Sequence, residues 1–167
     1  EENILRSPVA IEKLNAINIR SSASLSYYDA LRNLKGVDMV TSSLTFSQIN
    51  TRGFNDISNS RFLQLVDGMD NQTPGLNFSV GNLFGSSDID VESVEIIPGS
   101  TSALYGPVAF NGILMINTKN PFDYQGLTVE MKTGVNHVED QYSNPQGLYN
   151  LSLRYAKAFN NRFAFKI

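Results

Sequence analysis

The last third of the chain alternates between apolar and polar side chains. Apolar residues fall on every second position from Leu127 to Val135, and the same rhythm returns from Tyr149 to Tyr155 and from Phe163 to Ile167. A period of two is typical of β-strands that turn one apolar face outward or inward. The pattern predicts three strands, at about residues 126–136, 148–159 and 163–167.

All these apolar residues carry odd numbers, and this shared parity restricts how the strands can pair. Residues directly opposite in an antiparallel pair point to the same face, so the numbers of two partners must sum to an even value. A two-residue turn would pair Phe159 with Arg162 and break that rule. We therefore predict a three-residue turn at 160–162 that pairs Phe159 with Phe163. Its asparagines tolerate the left-handed backbone that such turns need.

Two architectures fit this alternation. Strands of about ten residues, joined by alternating long and short connections, are typical of outer-membrane β-barrels. Tyr149, Tyr155 and Phe159 lie near strand ends, where they would suit the membrane interface. An antiparallel meander with one face on a soluble core would give the same period. Periodicity alone leaves both architectures open.

The first 120 residues mix helix-like and strand-like segments. A helix is predicted from Tyr27 to Lys35, because Ser26 and Asp29 fit a capping box and Gly36 stands where a helix C-cap belongs. The polar connection from Met69 to Asp88 is longer than most loops, which is typical of a binding segment, a lid or a disordered segment. The mixture predicts an α+β domain with a small mixed sheet and short helices. Its strands are predicted at 9–14, 61–66, 91–97 and 113–118.

Composition removes several classes of function. The chain is 41% hydrophobic and 17% charged, as expected of a folded protein. Its net charge is −3 and no lysine or arginine cluster stands out, so nucleic-acid binding has little support. It contains no cysteine and only one histidine, His137, which excludes thiol chemistry, disulfides and clustered zinc ligands.

No catalytic or cofactor site is predicted. Glu92 and Glu95 could act as an acid and base pair in a hydrolase. A spacing of three on a strand, however, points them to opposite faces. The four aspartates between positions 67 and 90 lack the ligand spacing of an EF-hand. We expect neither an enzyme nor a bound metal or other cofactor.

Several short motifs follow one another along the first part of the chain. They are Asp29–Val37, Ile49–Phe54, Leu63–Gly68, Val91–Ser100, Ser102–Gly106 and Asn111–Lys119. In this order they resemble the plug domain of TonB-dependent outer-membrane receptors, including its arginine-glycine and valine-aspartate-glycine signatures and its later tyrosine-glycine signature. The alternating strands then begin where that family's β-barrel begins.

The resemblance implies a fold and a mechanism. Residues 1–120 would form the plug, and residues 121–167 would form the first antiparallel transmembrane strands of a barrel in the bacterial outer membrane. The plug would gate active uptake of a siderophore, cobalamin, glycan or peptide. The periplasmic protein TonB would supply energy by pulling on a segment expected before Glu1. The further partners would be the chain's own barrel, the ligand and a surface lipoprotein. A soluble α+β binding or adhesion module with a β-hairpin extension is the alternative.

The resemblance also implies two groups of functional residues. One lies in loops expected at the plug's ligand-facing apex, and the other anchors the plug to the barrel or shapes its turns. Arg52 matches one basic position of the family's anchor, but Pro98 stands where the family often has another, so the anchor would be thinner or built differently. The apical group is Ser43, Leu44, Phe46, Asn71, Gln72, Asn77, Phe78, Asn82 and Phe84. The anchoring and structural group is Arg52, Gly53, Asp67, Gly68, Glu92, Glu95, Gly99, Tyr105 and Gly106.

Overall fold

The computed structural model describes residues 10–22, 24, 26–43, 46–53, 58–83, 85–99, 101–136, 146–160 and 162–167. The chain divides into two compact units, the first ending at Thr118 and the second beginning at Lys119. Within the described residues no helix is both long and apolar enough to cross a membrane.

A five-stranded sheet organises the first unit. Its strands are β1 (Glu12–Asn15), β4 (Phe62–Val66), β5 (Met69–Asp70), β6 (Val91–Pro98) and β7 (Gly112–Thr118). Their spatial order is β1-β6-β7-β4-β5. β4 and β7 run parallel, whereas the other neighbours are antiparallel, so the predicted mixed sheet is confirmed.

Both faces of this sheet are covered, because successive side chains of its central strands point to opposite sides. On β7, Leu114 and Ile116 join a cluster that includes Tyr28 and Phe62. Ile113 belongs to a second cluster, with Leu63, Ile97 and Ala109. This two-sided burial explains why β6 and β7 read as nearly continuous apolar runs.

A hairpin and short helices complete the first unit. β2 (Val37–Ser43) pairs antiparallel with β3 (Phe46–Thr51). The helices are α1 (Ala16–Ser21), α2 (Tyr27–Ala30) and α3 (Ser102–Tyr105). Short 3₁₀ turns cover Leu31–Asn33, Asp88–Asp90 and Pro107–Ala109.

The capping box predicted for α2 is confirmed, although the predicted helix is too long. The Ser26 hydroxyl accepts a hydrogen bond from Asp29 N at 3.2 Å and donates one to the Asp29 carboxylate at 2.9 Å. The helix then tightens into the 3₁₀ turn, and Leu34 is already extended. Gly36, at φ +71°, therefore turns the chain into β2 instead of capping a helix.

Two other sequence predictions are corrected. The strand predicted at 9–14 spans Glu12–Asn15, because pairing with Ile96 to Ser93 of β6 sets its bounds; Val9 lies outside the described residues. The connection predicted from Met69 to Asp88 contains β5 and an isolated bridge between Gln72 and Ser79. Polar composition concealed this order, because polar side chains supply many of the bonds that hold the segment.

The second unit is a three-stranded antiparallel sheet of β8 (Gly126–Asn136), β9 (Gln146–Phe159) and β10 (Phe163–Lys166). The strands lie in the order β10-β9-β8. Val129 lies opposite Leu153, and Phe163 lies opposite Phe159, so the predicted register and three-residue turn are confirmed. Asn160 takes φ +49°, while Asn161 lies outside the described residues.

Candidate functional site

The Arg52–Gly53 turn follows directly from β3. Both residues have positive φ, at +57° and +76°, which reverses the chain sharply. Arg52 N donates to Gly36 O at 3.2 Å, and Gly53 N donates to an Asp38 carboxylate oxygen at 3.1 Å. These bonds fix the turn and leave the arginine side chain exposed at its corner.

The Arg52 guanidinium lies against the backbone of Gly99, just after β6. A β-carbon placed on Gly99 would come within 2.4 Å of Arg52 Cζ and 2.6 Å of both terminal nitrogens. Gly99 also has φ +101°, a conformation that side chains disfavour. The arginine therefore packs on a position whose backbone conformation favours glycine, next to the Pro98 that departs from the family pattern; a side chain at position 99 would displace the guanidinium.

A network of buried asparagine side chains lies next to the Arg52–Gly53 turn and Gly99. Asn59 Nδ2 donates to Asn50 Oδ1 at 2.6 Å, and Asn111 Nδ2 donates to Asn59 Oδ1 at 3.2 Å. Thr51 Oγ1 and Gly99 N both donate to Asn111 O. The network joins the ends of β3 and β6 to the starts of β4 and β7. Sequence reasoning missed Asn50 and Asn59, whose only signal is their position beside apolar strands.

Asp67 and Gly68 form the turn between β4 and β5, with φ +49° and +79°. The Asp67 carboxylate accepts hydrogen bonds from Thr118 N at 2.8 Å and Thr118 Oγ1 at 2.5 Å. Asp67 N donates to Ile116 O at 2.9 Å. The aspartate therefore ties the ends of the parallel strands β4 and β7 together.

The remaining residues of the anchoring group occupy separate places. Glu95 forms an ion pair with Lys13 at 2.6 Å, whereas Glu92 is half-buried beside a register shift in β6. Tyr105 ends α3 and is 39% exposed, and Gly106 follows it with φ +82°. These residues do not meet at one site.

The apical group is divided between two segments. Ser43 ends β2, and it lies opposite Phe46 at the start of β3. Asn71, Gln72, Asn77, Phe78 and Asn82 all follow β5, and of these only Asn77 is exposed, the others being half-buried. Leu44, Phe84 and His137 lie outside the described residues.

The segment after β5 is bonded closely to the sheet. Gln64, fully buried in β4, donates through Nε2 to Gly81 O at 2.9 Å and accepts from Ser79 Oγ at 2.7 Å. Gln48 Nε2 donates to Ser79 O at 2.6 Å. Ser47 N donates to Asn82 Oδ1 at 2.7 Å, and Asn82 N donates back to Ser47 O at 3.3 Å.

Tyr27 and Tyr28 lie in the core near this segment's end. Burial raises the pKa of Tyr27 to about 12, with a smaller contribution from the charge of Asp88, which accepts a hydrogen bond from Tyr27 N at 3.2 Å. Burial also raises the pKa of Tyr28, reinforced by Tyr27 and opposed by a hydrogen bond from the backbone of Ile49. Both tyrosines are therefore neutral core residues and not acids or bases at neutral pH.

One open cleft of about 590 Å³ is lined by Arg61, Ser102, Pro107 and Phe110. The Arg61 guanidinium lies 5.8 Å from the centre of the Phe110 ring. Among the described residues, no group of three histidine, cysteine, aspartate or glutamate side chains could hold a metal ion.

The second unit separates apolar from polar side chains by face. Odd-numbered residues such as Leu127, Val129 and Leu151 are 55–67% exposed, whereas Arg154 and Ala156 on the other face are buried. Arg154 donates to Tyr124 O at 2.9 Å and Lys119 O at 3.2 Å, and Lys166 Nζ donates to Lys119 O at 3.3 Å. Tyr155, Phe159, Phe163 and Phe165 form ring contacts of 5.9–6.3 Å on the exposed face.

The chain thus combines a mixed-sheet domain that carries short helices with antiparallel strands whose apolar side chains are exposed on one face. Residues 3–113 match the TonB-dependent Receptor Plug Domain family, and the chain belongs to that family. Its members are transporters, not enzymes, and act in the outer membrane. No curated protein matches the chain significantly.

Solved receptors share the fold. The siderophore receptor PirA from Pseudomonas aeruginosa is 27% identical, with a TM-score of 0.60 over 90% of this chain and 25% of that receptor. The ferric yersiniabactin uptake receptor FyuA from Yersinia pestis is 24% identical, with a TM-score of 0.57 and coverage of 89% and 24%. A mutant of the ferric enterobactin receptor PfeA from P. aeruginosa, in complex with enterobactin, is 21% identical, with a TM-score of 0.57 and coverage of 90% and 23%. The chain thus spans about a quarter of each receptor's length.

Proposed function

We propose that this chain is the plug and the first barrel strands of a TonB-dependent transporter that takes up a ferric siderophore across the outer membrane. The observation that carries the proposal is the order of its two parts: a plug-family domain, then strands whose apolar side chains face outward. The siderophore is favoured over cobalamin, glycans and peptides because PirA, the 27% identical receptor, is a siderophore receptor.

The second unit has the dimensions and polarity of transmembrane strands. β8 has 11 residues and β9 has 14. At about 3.3 Å per residue they extend about 36 and 46 Å. A tilted strand needs only about 9–11 residues to cross a bilayer. Exposed leucines, valines and aromatics on a single face would be unfavourable in water but suit lipid.

Arg52 is the proposed anchor between plug and barrel wall. Its guanidinium is exposed and held against Gly99, so one side of the planar group is supported by the plug. Guanidinium groups bind carboxylates through two parallel hydrogen bonds, which fixes orientation as well as position. A glutamate of the barrel lumen would be the matching partner. TonB would act through a segment outside the described residues.

Uptake of iron-55 as ferric enterobactin tests the function. The transporter that contains this chain would be produced in cells lacking their other outer-membrane iron receptors. We expect uptake that stops on addition of an uncoupler and in cells without TonB. Arg52→Lys keeps the positive charge but not the paired hydrogen bonds, and we expect it to lower the uptake rate. Uptake at the same rate without TonB would overturn the proposed mechanism.

A further inference from the structure

The segment from Asn71 to Leu83 folds back on itself, and the exposed tip of this fold is Pro74–Asn77. Thr73 O accepts hydrogen bonds from Leu76 N at 3.2 Å and Asn77 N at 3.0 Å, and Thr73 N donates to Phe78 O at 3.0 Å. Leu76 is 65% exposed although it is apolar, and Asn77 is held at φ +52°. The tip therefore has a defined backbone and presents an apolar side chain and an amide to its surroundings.

The base of the same segment is held by polar side chains from the sheet. Gln64 binds both Gly81 O and Ser79 Oγ, and Ser79 Oγ also accepts from Gly81 N at 3.1 Å. Gln64 is fully buried in β4 beside the apolar residues Phe62 and Leu63, and Gln48 is 3% exposed in β3. Burying a carboxamide is unfavourable unless its hydrogen bonds are made, so these residues are poor choices for stability alone.

Close packing at Gly81 adds a steric constraint. A β-carbon on Gly81 would lie 2.1 Å from Ser47 O, and Gly81 has φ +58°. The backbone of the segment therefore approaches β3 as closely as a neighbouring strand does. Asn82 completes the contact by bonding Ser47 through both its side chain and its backbone.

We propose that Gln48, Gln64 and Asn82 are positioning residues that hold the tip Pro74–Asn77 ready to contact the transported ligand. The family resemblance places Asn82 in the apical, ligand-facing group. In this proposal Asn82 instead bonds to β3 and holds the tip in place without contacting the ligand. This inference rests on the proposed function. In this proposal Leu76 and Asn77 contact the ligand. The side chains of Gln48, Gln64 and Asn82 hold the tip in its binding conformation.

Holding the tip in one conformation would strengthen the apparent affinity of the transporter for its ligand. If a binding segment occupies its competent conformation only part of the time, the apparent dissociation constant rises by the inverse of that fraction. Apolar side chains at positions 48 and 64 would pack in the core, but they would leave the segment free to move. The glutamines instead specify one conformation of it.

Gln64→Leu in the full-length transporter tests the positioning role. We expect amide hydrogen exchange in residues 73–83 to rise about tenfold, equivalent to about 1.4 kcal/mol, while exchange in β6 and β7 stays unchanged. The half-saturation concentration for ferric enterobactin uptake should rise by a similar factor, with the maximal rate unchanged. Asn82→Ala should act in the same direction if Gln64→Leu does not fold.

Leu63→Val is the matched control, because Leu63 neighbours Gln64 on β4 but packs in the other apolar cluster. It should raise exchange in β4 and β7 without a selective change in residues 73–83. Unchanged exchange of that segment in both test variants would overturn the positioning role. Faster exchange with an unchanged half-saturation concentration would overturn the link to the ligand.

A cysteine at the tip separates this inference from the proposed function. The chain has no cysteine, so Leu76→Cys can be labelled on intact cells with a maleimide dye too large for porins. Labelling that matches a denatured sample supports a tip open to external ligands, and absence of labelling overturns it. Failure of wild-type cells to take up ferric enterobactin would instead count against enterobactin as the ligand, and failure with other ferric siderophores in the same assay would count against the siderophore assignment; exchange and labelling still decide the role of the tip.

Discussion

The contact between Arg52 and Gly99 gives a prediction with a calculable size. In Gly99→Ala, the new methyl group would enter a backbone conformation at φ +101° and lie 2.4 Å from Arg52 Cζ. The backbone strain costs about 1–2 kcal/mol. The guanidinium must also move off the peptide, which costs roughly 0.5–1 kcal/mol in lost packing. We expect a total destabilisation of the first unit by about 1.5–3 kcal/mol.

Gly68→Ala provides the control for backbone strain. Gly68 also has positive φ, at +79°, but a β-carbon there would meet no atom within 4 Å. Its substitution should cost only the strain, about 1–2 kcal/mol. The free energy of opening of β6 and β7, measured by hydrogen exchange, reports both changes on one scale.

A double-mutant cycle with Arg52→Ala isolates the contact. Once the guanidinium is absent, Gly99→Ala should cost no more than Gly68→Ala, which gives a coupling energy of about 0.5–1 kcal/mol between positions 52 and 99. Equal costs of Gly99→Ala with and without Arg52 would refute the idea that the guanidinium occupies the space above Gly99. That result would also remove the structural support for Arg52 as an oriented anchor.

Three further predictions concern the two units. Burial raises the pKa of Tyr27 from its ordinary value of 10 to about 12. The neutral phenol therefore stabilises the folded state fully below pH 10, and this stabilisation is lost as the pH rises from 10 to 12. In urea titrations, Tyr27→Phe should show a smaller loss of unfolding free energy between pH 10 and pH 12. Asp67→Ala removes the acceptor of both Thr118 hydrogen bonds. It should lower the free energy of opening at the ends of β4 and β7, measured by hydrogen exchange, by about 1–3 kcal/mol. Deleting Ala164 keeps the turn but shifts the rest of β10 by one position, so Lys166 would lie on the apolar face and Phe165 on the polar face. Folding of the transporter in vesicles, followed by heat-modifiable gel mobility, should then fail, and normal folding would contradict the parity argument.

Periodicity predicted the second unit well because its register depends on a local rule. When the alternating large apolar residues of each strand are odd-numbered, their antiparallel partners must also be odd, and the turn length follows. The pairing of Phe159 with Phe163 could therefore be predicted without knowledge of any distant contact. Ser26 and Asp29 were similarly predictable, since a capping box involves residues only three positions apart.

Local rules failed where distant strands decide the structure. The helix predicted to reach Lys35 stops at Asn33, because the chain must turn at Gly36 to enter the β2–β3 hairpin. The segment after Met69 read as an open polar loop, although Gln64 and Gln48 bond it to the sheet. A glutamine in an apolar strand does not reveal its partner, which here lies 17 or 31 residues away in sequence.

The sequence by itself determined the class of fold, the family resemblance and the outward apolar face of the last strands, since each depends on ordered motifs or on a two-residue period. Only the tertiary structure placed the Arg52 guanidinium over Gly99 and bonded Asn82 to Ser47. Those contacts join segments 47 and 35 residues apart in sequence. Their geometry depends on how the hairpin, the sheet and the segment after β5 pack together, and no local pattern records it.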